Sequence, residues 1–366
     1  MADARAEGLD FLVARDEWSR VHFEDRPAPP AVASGQVLLR VDRFALTANN
    51  ISYAKAGDML RYWDFFPADG GFGRIPAMGF GDVIESAHPD VTEGQRVFGF
   101  FPMSRYLVIE PSRAGAGGIF DGVAHRQGIA PAYNTYSPTD TDADYAPSHE
   151  DAHMLMRGLF MTSFLVDDYV TDNDGFGATQ VVISSASSKT AIALAYLVSK
   201  REGVSCVGLT SPRNAAFVKG LDYYDDVVHY EDVEGIRNEP TVFVDMAGSS
   251  SITNRLHSRL GERMRCSCSV GATHFDETPR ATDLPGAQPE FFFAPSQMQK
   301  RAAEWGPAGL NQRMGDSWTN FREASKAWLE VQRGHGRASL ESAYHQTLEG
   351  RTPPSQGHVL SLWDAA

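Results

Sequence analysis

The stretch TQVVISSASSKTAIALAYLVSKREGVSCVGLTSPR, residues 179–213, decides the fold. Its apolar run over 179–184 predicts a buried strand, and the small residues that follow predict a tight turn into a helix. A second apolar run over 204–210 predicts the next strand. Strand, small-residue turn, helix and strand are half of a βαβ dinucleotide-binding unit. This half lies in the middle of the chain.

Further apolar runs after this unit predict a doubly wound parallel sheet, because stretches of helical character separate them. These runs are residues 226–230, 241–246 and 264–271. Apolar residues also recur at helical spacing, which predicts one helix over 154–170 and another over 317–334.

The segment before the unit predicts a smaller β-domain. Val37, Leu39 and Val41 alternate with other residues as in a strand, which a loop is expected to follow. Residues 79–110 contain short strands separated by Gly, Pro and Asp, a pattern typical of a small barrel or sandwich. Residues 113–150 are polar and turn-rich, and a segment of this length predicts a binding loop, a lid or an oligomer arm.

Composition limits the classes of partner. The chain has 366 residues, enough for two domains with separate cores. Its formal net charge of −14 argues against nucleic acid and anionic membrane surfaces, because both require clustered Lys and Arg. No apolar run approaches the ~20 residues of a membrane span, and the first residues lack the pattern of a secretory signal. With three cysteines we expect no disulfide framework and a cytoplasmic location.

Four segments together carry a resemblance to the medium-chain dehydrogenase/reductase superfamily. RVDRFALTANNISYAKAG, residues 40–57, resembles its strand and active-site loop, which ends in Tyr-x-(Arg/Lys)-x-Gly. GFGDVIESAHPDVTEGQRVFG, residues 79–99, resembles its barrel hairpin. The βαβ unit with the later VFVDMAG and SVGATH resembles its nucleotide-binding strands, and LEGRTPPSQGHVLSL resembles its closing barrel strand. Within the superfamily the chain is most similar to the zinc-free quinone oxidoreductase-like branch.

The resemblance implies an α/β fold that joins a GroES-like, partly open β-barrel domain to a Rossmann doubly wound parallel-sheet domain. The barrel domain is expected over 1–150, with 113–150 as an insertion, and again over 320–366. The Rossmann domain is expected over 151–319. The resemblance also implies a nicotinamide coenzyme, an active site in the cleft between the domains, and a homodimer formed through the edge strand of the nucleotide sheet.

The turn after the first strand of the unit is the predicted coenzyme-phosphate site. A pyrophosphate requires backbone N–H groups at a helix N-terminus and a turn without bulky side chains. The superfamily's turn carries glycine at positions where this chain has Ser185, Ser188 and Ala191. Hydroxyls and a lysine can replace the lost backbone contacts, and the alternative is a vestigial turn that binds nothing. The predicted phosphate-site residues are Ser185, Ser187, Ser188, Lys189 and Thr190.

The end of the second strand favours NADPH over NADH. An acid there would bind the ribose 2′-hydroxyl and repel a 2′-phosphate, but this strand ends in Thr210, Ser211 and, after a proline, Arg213. Two hydroxyls and a guanidinium suit a phosphate, although Arg213 taken alone is equally an ordinary surface residue. By resemblance Tyr230 lies beside the adenosine. The residues that the resemblance places around the nicotinamide are Gly271, Ala272 and Phe292 or Phe293.

The sequence predicts metal-free chemistry. A catalytic zinc in the superfamily needs a cysteine in the first domain, and the first cysteine of this chain is Cys206. Without a metal, the oxyanion formed when hydride reaches an enone or quinone needs a hydrogen-bond donor. Tyr53, which matches the superfamily's tyrosine, and the neighbouring Asn49 and Asn50 are the predicted donors. A core aromatic and two turn-forming asparagines are the alternatives.

Two aromatic segments are the predicted contacts for a planar or apolar small-molecule substrate. LRYWDFFPA, residues 60–68, follows the active-site loop and contributes Tyr62 and Trp63, whose alternative role is barrel core. The insertion contributes Tyr133, Asn134 and Tyr136, which equally suit a dimer contact.

One sequence motif is misleading. Tyr196 and Lys200 form Y-x-x-x-K with Ser184 upstream, the triad pattern of short-chain dehydrogenases. They lie on the helix after the phosphate turn, and such a helix packs on the sheet, so Tyr196 is predicted to lie in the core or at its rim.

These features predict a zinc-independent, NADPH-dependent reductase that transfers hydride to an activated C=C bond or a quinone. Reduction of a ketone or aldehyde by the same fold, and a non-catalytic nucleotide-binding protein, are the alternatives.

Overall fold

The structure is a computed structural model that describes residues 5–115, 117–129, 131–142, 144–270 and 283–365. The chain packs into two compact units. The first unit consists of Met1–Leu155 and Glu330–Ala366, and the second of Met156–Leu329. The sequence-based domain limits, at residues 150 and 319, remain predictions beside these unit boundaries.

The described residues form eighteen strands and eight α-helices. The strands are β1 (Gly8–Ala14), β2 (Val21–Arg26), β3 (Val37–Leu46), β4 (Phe72–Gly73), β5 (Pro76–Ser86), β6 (Arg96–Pro102), β7 (Tyr106–Ile109), β8 (Pro111–Arg113), β9 (Ile119–Asp121), β10 (Thr135–Pro138), β11 (Gln180–Ile183), β12 (Ser205–Thr210), β13 (Asp226–His229), β14 (Thr241–Asp245), β15 (Met264–Ser269), β16 (Pro289–Phe291), β17 (Glu330–His335) and β18 (Gln356–Ser361). The helices are α1 (Ala48–Lys55), α2 (Glu150–Ala152), α3 (Gly158–Asp172), α4 (Lys189–Val198), α5 (Pro212–Gly220), α6 (Ser250–Leu260), α7 (Ala294–Ser325) and α8 (Gly336–Leu348). One π-helical segment, His153–Arg157, runs directly into α3. In these ranges no helix combines the length and apolarity needed to cross a membrane.

The first unit is built on a nine-stranded sheet in the order β17-β18-β3-β5-β6-β10-β9-β8, with β7 also paired to β3. A three-stranded sheet, β2-β1-β4, completes it. The alternating residues of β3 lie in the core as predicted, since Val37, Leu39 and Val41 are at most 2% exposed. The loop expected after this strand is instead helix α1. Thr47 precedes it, and its N–H donates to Asn50 Oδ1 at 2.7 Å, an N-terminal cap that makes helix the favoured conformation here.

The insertion adds strands to this sheet. β10 pairs antiparallel with β6, and β9 pairs with β10. Its C-terminal end is held by Glu150, a buried carboxylate that accepts from Arg96 Nε at 2.5 Å and from the Tyr145 hydroxyl at 2.8 Å. The expected roles as lid or dimer arm remain predictions.

The second unit is a parallel sheet in the order β13-β12-β11-β14-β15-β16. β11 is the central first strand, so the order is that of a dinucleotide-binding doubly wound sheet. Val181 and Ile183 pack into one core cluster while Val182 packs into another, as expected for a strand buried on both faces. The predicted fold class is confirmed.

The helix predicted over 317–334 was wrong at its C-terminal end. Helix α7 begins much earlier, at Ala294, and ends at Ser325, and Gly306 interrupts it with a φ of 73° just before Pro307. Residues 330–335 form β17, which belongs to the first unit and pairs parallel with β18 of the same unit. Backbone pairing to a distant strand therefore overrides the local apolar spacing.

Candidate functional site

The turn after β11 has the backbone conformation of a glycine turn. Ser185 has a φ of 53°, in the left-handed region that costs an L-residue about 1–2 kcal/mol. Its N–H donates to the Tyr230 hydroxyl at 2.9 Å. Burial raises the pKa of that phenol to about 12, so Tyr230 is a neutral partner at physiological pH. The glycine-free turn thus holds a serine in the left-handed region and is hydrogen-bonded directly to Tyr230.

Small polar residues surround the start of α4. Ser188 is the N-cap residue, and its hydroxyl accepts from Ala191 N–H at 3.3 Å. Ser187 Oγ accepts from Asn214 Nδ2 at 3.0 Å, and the Thr190 carbonyl accepts from Ser163 Oγ at 2.7 Å. The N-terminus of a helix favours an anion, because its first N–H groups lack intrahelical partners.

Lys189 adds a cation at the same place. It is the first residue of α4, and partial burial lowers the pKa of its ammonium group to about 8. A lysine at a helix N-terminus opposes the helix dipole, so an anion bound there would be stabilised by both the amide groups and the lysine. The turn therefore fits a phosphate group chemically.

A second polar group lies at the end of β12. Thr210 is buried, and Ser211 is the N-cap residue of α5 without a side-chain capping bond. Pro212 opens the helix, Arg213 is exposed in its first turn, and that turn contains no acid. The hydroxyls and the guanidinium at this end of β12 suit a phosphate group better than a ribose hydroxyl.

Of the predicted nicotinamide residues, Phe292 and Phe293 lie in the described part of the chain, and Phe293 directly precedes α7 and is 54% exposed. Gly271 and Ala272 lie outside the described residues. Phe292 packs on Tyr169 with ring centroids 5.6 Å apart, and its N–H donates to the Ser269 carbonyl at 2.9 Å. Its ring is thus part of the packing of the second unit.

The two asparagines beside Tyr53 have different roles. Asn50 is 3% exposed, and both polar atoms of its side-chain amide are hydrogen-bonded. Its Oδ1 accepts from Thr47 N–H, and its Nδ2 donates to the Pro76 carbonyl at 2.9 Å. This is a structural role at the start of α1. Asn49 is half-buried and lies beside Tyr53. Burial raises the pKa of the Tyr53 phenol, so it remains a proton donor at neutral pH.

Tyr62 and Tyr133 lie beside Tyr53. The rings of Tyr53 and Tyr62 stack with centroids 4.5 Å apart, and Tyr133 meets Tyr62 edge-on at 6.3 Å. Phe65 and Phe100 pack among them. We call these five side chains the aromatic cluster. It brings the active-site segment, residues 60–68 and the insertion together.

The other predicted substrate residues lie in the interior. Trp63 is 3% exposed and packs so closely that a Cβ on Gly57 would lie 2.1 Å from its Nε1. Tyr136 is fully buried and donates to the Phe100 carbonyl at 2.9 Å. Asn134 is also buried, and it lines a cavity of about 510 Å³ formed largely by residues 120–129.

Sequence reasoning missed one charged residue at this place. Arg126 is 1% exposed and pairs with Asp121, its Nη1 lying 3.0 Å from the carboxylate. It also donates to the Phe65 carbonyl at 3.0 Å and to the Tyr136 hydroxyl at 3.1 Å. No local pattern distinguishes this arginine from a surface one. Asn214 was missed as well, although its position in the first turn of α5 was a usable signal.

Ser184 and Tyr196, from the short-chain dehydrogenase pattern, have structural roles. Ser184 donates to Asp245 Oδ1 at 2.7 Å and accepts from Met246 N–H at 2.8 Å, which joins the ends of β11 and β14. Tyr196 is 9% exposed and meets Tyr223 edge-on at 5.3 Å. The three hydroxyl and amine groups therefore form no catalytic triad.

All three cysteines, Cys206, Cys266 and Cys268, are buried and unpaired. Burial raises the pKa of each thiol, that of Cys266 to about 12. Within the part of the chain that the structure describes, no three His, Cys, Asp or Glu side chains are grouped as metal ligands would be.

Together the two units define the fold of medium-chain dehydrogenase/reductase proteins, a GroES-like sheet domain with a Rossmann domain. The chain itself belongs to the family described as "Protein of unknown function (DUF2855)", whose model matches residues 44–353. No curated protein matches it in sequence.

Several solved structures share this fold at low sequence identity. CurA from Vibrio vulnificus, in complex with NADPH, is 12% identical with a TM-score of 0.60, and the match covers 98% of this chain and 100% of that one. A putative NADPH:quinone reductase from Mesorhizobium loti is 14% identical with a TM-score of 0.61, covering 97% and 98%. An Etr1p mutant in complex with NADP and crotonyl-CoA is 9% identical with a TM-score of 0.60, covering 97% and 99%. At these identities the likeness concerns the fold.

Proposed function

We propose that the chain is an NADPH-dependent reductase of the zinc-free, quinone oxidoreductase-like branch. The observation that carries the proposal is the left-handed Ser185 at the end of the central strand, directly before α4. A non-glycine residue keeps this costly conformation only where the surroundings require it. NADPH and NADP complexes among similarly folded structures support the same coenzyme class.

The residues present fit NADPH. The turn at Ser185 and the N-terminus of α4, with Lys189, suit the pyrophosphate. Ser211 and Arg213 suit the 2′-phosphate, because a planar guanidinium matches phosphate oxygens. When bound, this coenzyme supplies hydride.

The residues of the first unit supply the acid chemistry. Hydride addition to an enone or a quinone leaves negative charge on oxygen, and a preorganised donor stabilises that charge. Tyr53 is the proposed donor, because burial keeps its phenol protonated at neutral pH and Asn49 lies beside it. The crotonyl-CoA in the Etr1p complex contains a C=C bond conjugated to a carbonyl, which supports the C=C class over direct ketone or aldehyde reduction.

Zinc independence is proposed from the sequence. The first cysteine of the chain is Cys206, on β12 of the second unit, so the first unit contains no thiolate ligand. The three unpaired cysteines also support a cytoplasmic location.

A homodimer through the edge of the second unit's sheet is proposed on a separate observation. β16 stands at one end of the strand order, and Phe291 and Phe293 at its end are 73% and 54% exposed. Exposed apolar residues on an edge strand favour pairing with another chain. Sedimentation equilibrium of the wild type and Phe291→Lys tests this: a monomeric wild type would contradict it.

A non-catalytic nucleotide-binding protein is the second candidate. The observation that favours it is the bond from Ser185 N–H to Tyr230, which occupies an amide that a coenzyme phosphate would otherwise bind.

One experiment separates these functions. The purified full chain is mixed with NADPH and a panel of quinones, enones and aldehydes, and coenzyme oxidation is followed by absorbance. A reductase oxidises NADPH with at least one electrophile, and Tyr53→Phe slows it about 10²-fold. A binding protein gains only thermal stability from NADPH. If neither occurs with NADPH or NADH, the proposed function is wrong.

A further inference from the structure

Tyr53 lies in an aromatic cluster assembled from separate segments of the chain. Tyr62 stacks on it at 4.5 Å with an interplanar angle of 29°. Phe100 meets Tyr53 edge-on at 5.6 Å and stacks on Tyr133 at 5.0 Å. The ring from the insertion and the ring of the predicted donor therefore contact the same two neighbours.

Two phenols and an amide lie near the Tyr53 ring. Tyr62 stacks on it, Tyr133 meets Tyr62 edge-on with ring centroids 6.3 Å apart, and Asn49 lies beside Tyr53. The titratable groups that face Tyr53 are these two tyrosines. Arg61, the nearest charged residue on the same turn as Tyr62, is paired with Asp64 at 2.8 Å.

Hydrogen bonds fix the insertion to the turn that carries Tyr62. The Phe65 carbonyl accepts from Arg126 Nε at 3.0 Å and contacts His125 Nε2 at 3.2 Å. Arg61 Nη1 donates to the Gln127 carbonyl at 3.2 Å. Arg126 itself is held by the buried carboxylate of Asp121. Tyr133 is thus anchored on both sides of the cluster.

We propose that Tyr133 is a positioning residue for Tyr53: its ring packs against Tyr62 and Phe100, the two rings that contact Tyr53 and set its orientation. The insertion is in this way part of the candidate active site of the first unit. The catalytic consequence rests on the proposed function, but the positioning itself does not.

The positioning can be measured without turnover. 3-Fluorotyrosine is placed at position 53, and its ¹⁹F signal is titrated against pH in the full chain. Tyr133→Leu removes the ring that packs on Phe100 and Tyr62, whereas Tyr133→Phe keeps that ring and removes only the hydroxyl. We expect Tyr133→Leu to move the fluorine resonance, because both rings that contact Tyr53 lose a neighbour. Tyr133→Phe is the matched control and leaves the resonance close to that of the wild type, as does Tyr106→Phe, a partly exposed phenol outside the cluster. A resonance in Tyr133→Leu equal to that of the controls would overturn the proposal.

A kinetic cycle tests the catalytic consequence. In an otherwise wild-type enzyme we expect Tyr133→Leu to lower kcat about three- to tenfold with little change in KM, since it affects a donor rather than substrate binding. In the Tyr53→Phe background it has no further effect beyond about twofold, because it acts through Tyr53. Equal effects in both backgrounds would refute the coupling. A wild type inactive toward every electrophile would refute the proposed function, while the fluorine titration still decides the positioning.

Discussion

Lys189 makes the coenzyme affinity of this protein depend on pH in a range where NADPH itself does not titrate. Burial lowers the pKa of the lysine to about 8. The second ionisation of a phosphate monoester lies near pH 6, so the 2′-phosphate is fully charged above pH 7. Any fall in affinity between pH 7 and pH 9 is therefore caused by a titrating group of the protein.

The sign and size of the effect follow from the charged fraction of the lysine. Only the protonated ammonium attracts the coenzyme phosphates, so affinity is highest below pH 8 and falls as the pH rises through it. With a pKa of about 8, roughly nine-tenths of Lys189 is charged at pH 7 and about one-tenth at pH 9. The dissociation constant should therefore rise up to about tenfold, equivalent to about 1.4 kcal/mol.

Isothermal titration of NADPH at several pH values from 7 to 9 measures this directly. Lys189→Gln should bind more weakly at pH 7 and show a flat profile. Lys219→Gln, an exposed lysine on α5, is the control and should follow the wild type. A wild-type affinity that is constant across the range, or a fall of the same size in Lys189→Gln, would refute the assignment of Lys189 to the phosphate site.

Three other substitutions have defined outcomes. Tyr230→Phe removes the acceptor of the Ser185 N–H, and thermal unfolding should show a loss of about 1–2 kcal/mol; an unchanged melting temperature would contradict the role of this bond. Asp121→Asn leaves the Arg126 guanidinium buried without its carboxylate, so the free energy of unfolding should fall by about 3–5 kcal/mol. Asp140→Asn, at an exposed position, is the control and should leave it unchanged. Arg213→Ala should weaken NADPH about tenfold or more through a lost charge-assisted bond while NADH is unaffected. Equal losses for both coenzymes would place Arg213 away from the 2′-phosphate.

The parallel sheet was predictable because its strands are buried on both faces. Their apolar runs need no alternation, and the predicted runs over 179–184 and 204–210 correspond to β11 and β12. The same logic failed for 317–334, where aromatic residues at helical spacing continue past the end of α7. The pairing of β17 with β18, which ends that pattern, depends on residues far away in the chain.

The candidate site was predictable by residue type but not by role. Asn49 and Asn50 are neighbours in sequence, yet one lies beside Tyr53 while the other caps α1, a difference set by which side of a helix each occupies. Tyr230 was expected beside the adenosine, and its bond to Ser185 appears only when β13 and β11 lie in one sheet. Arg126 gave no local signal at all, because its buried partners come from three other segments.

The inaccessible thiols make this chain a convenient one to label. Thiolate is the species that reacts with maleimides, and none of the native cysteines would present a meaningful amount of it at neutral pH. A single cysteine introduced on the surface would carry a dye or spin probe without prior removal of the native ones. Spectroscopic distance measurements on the unmodified background are therefore within reach.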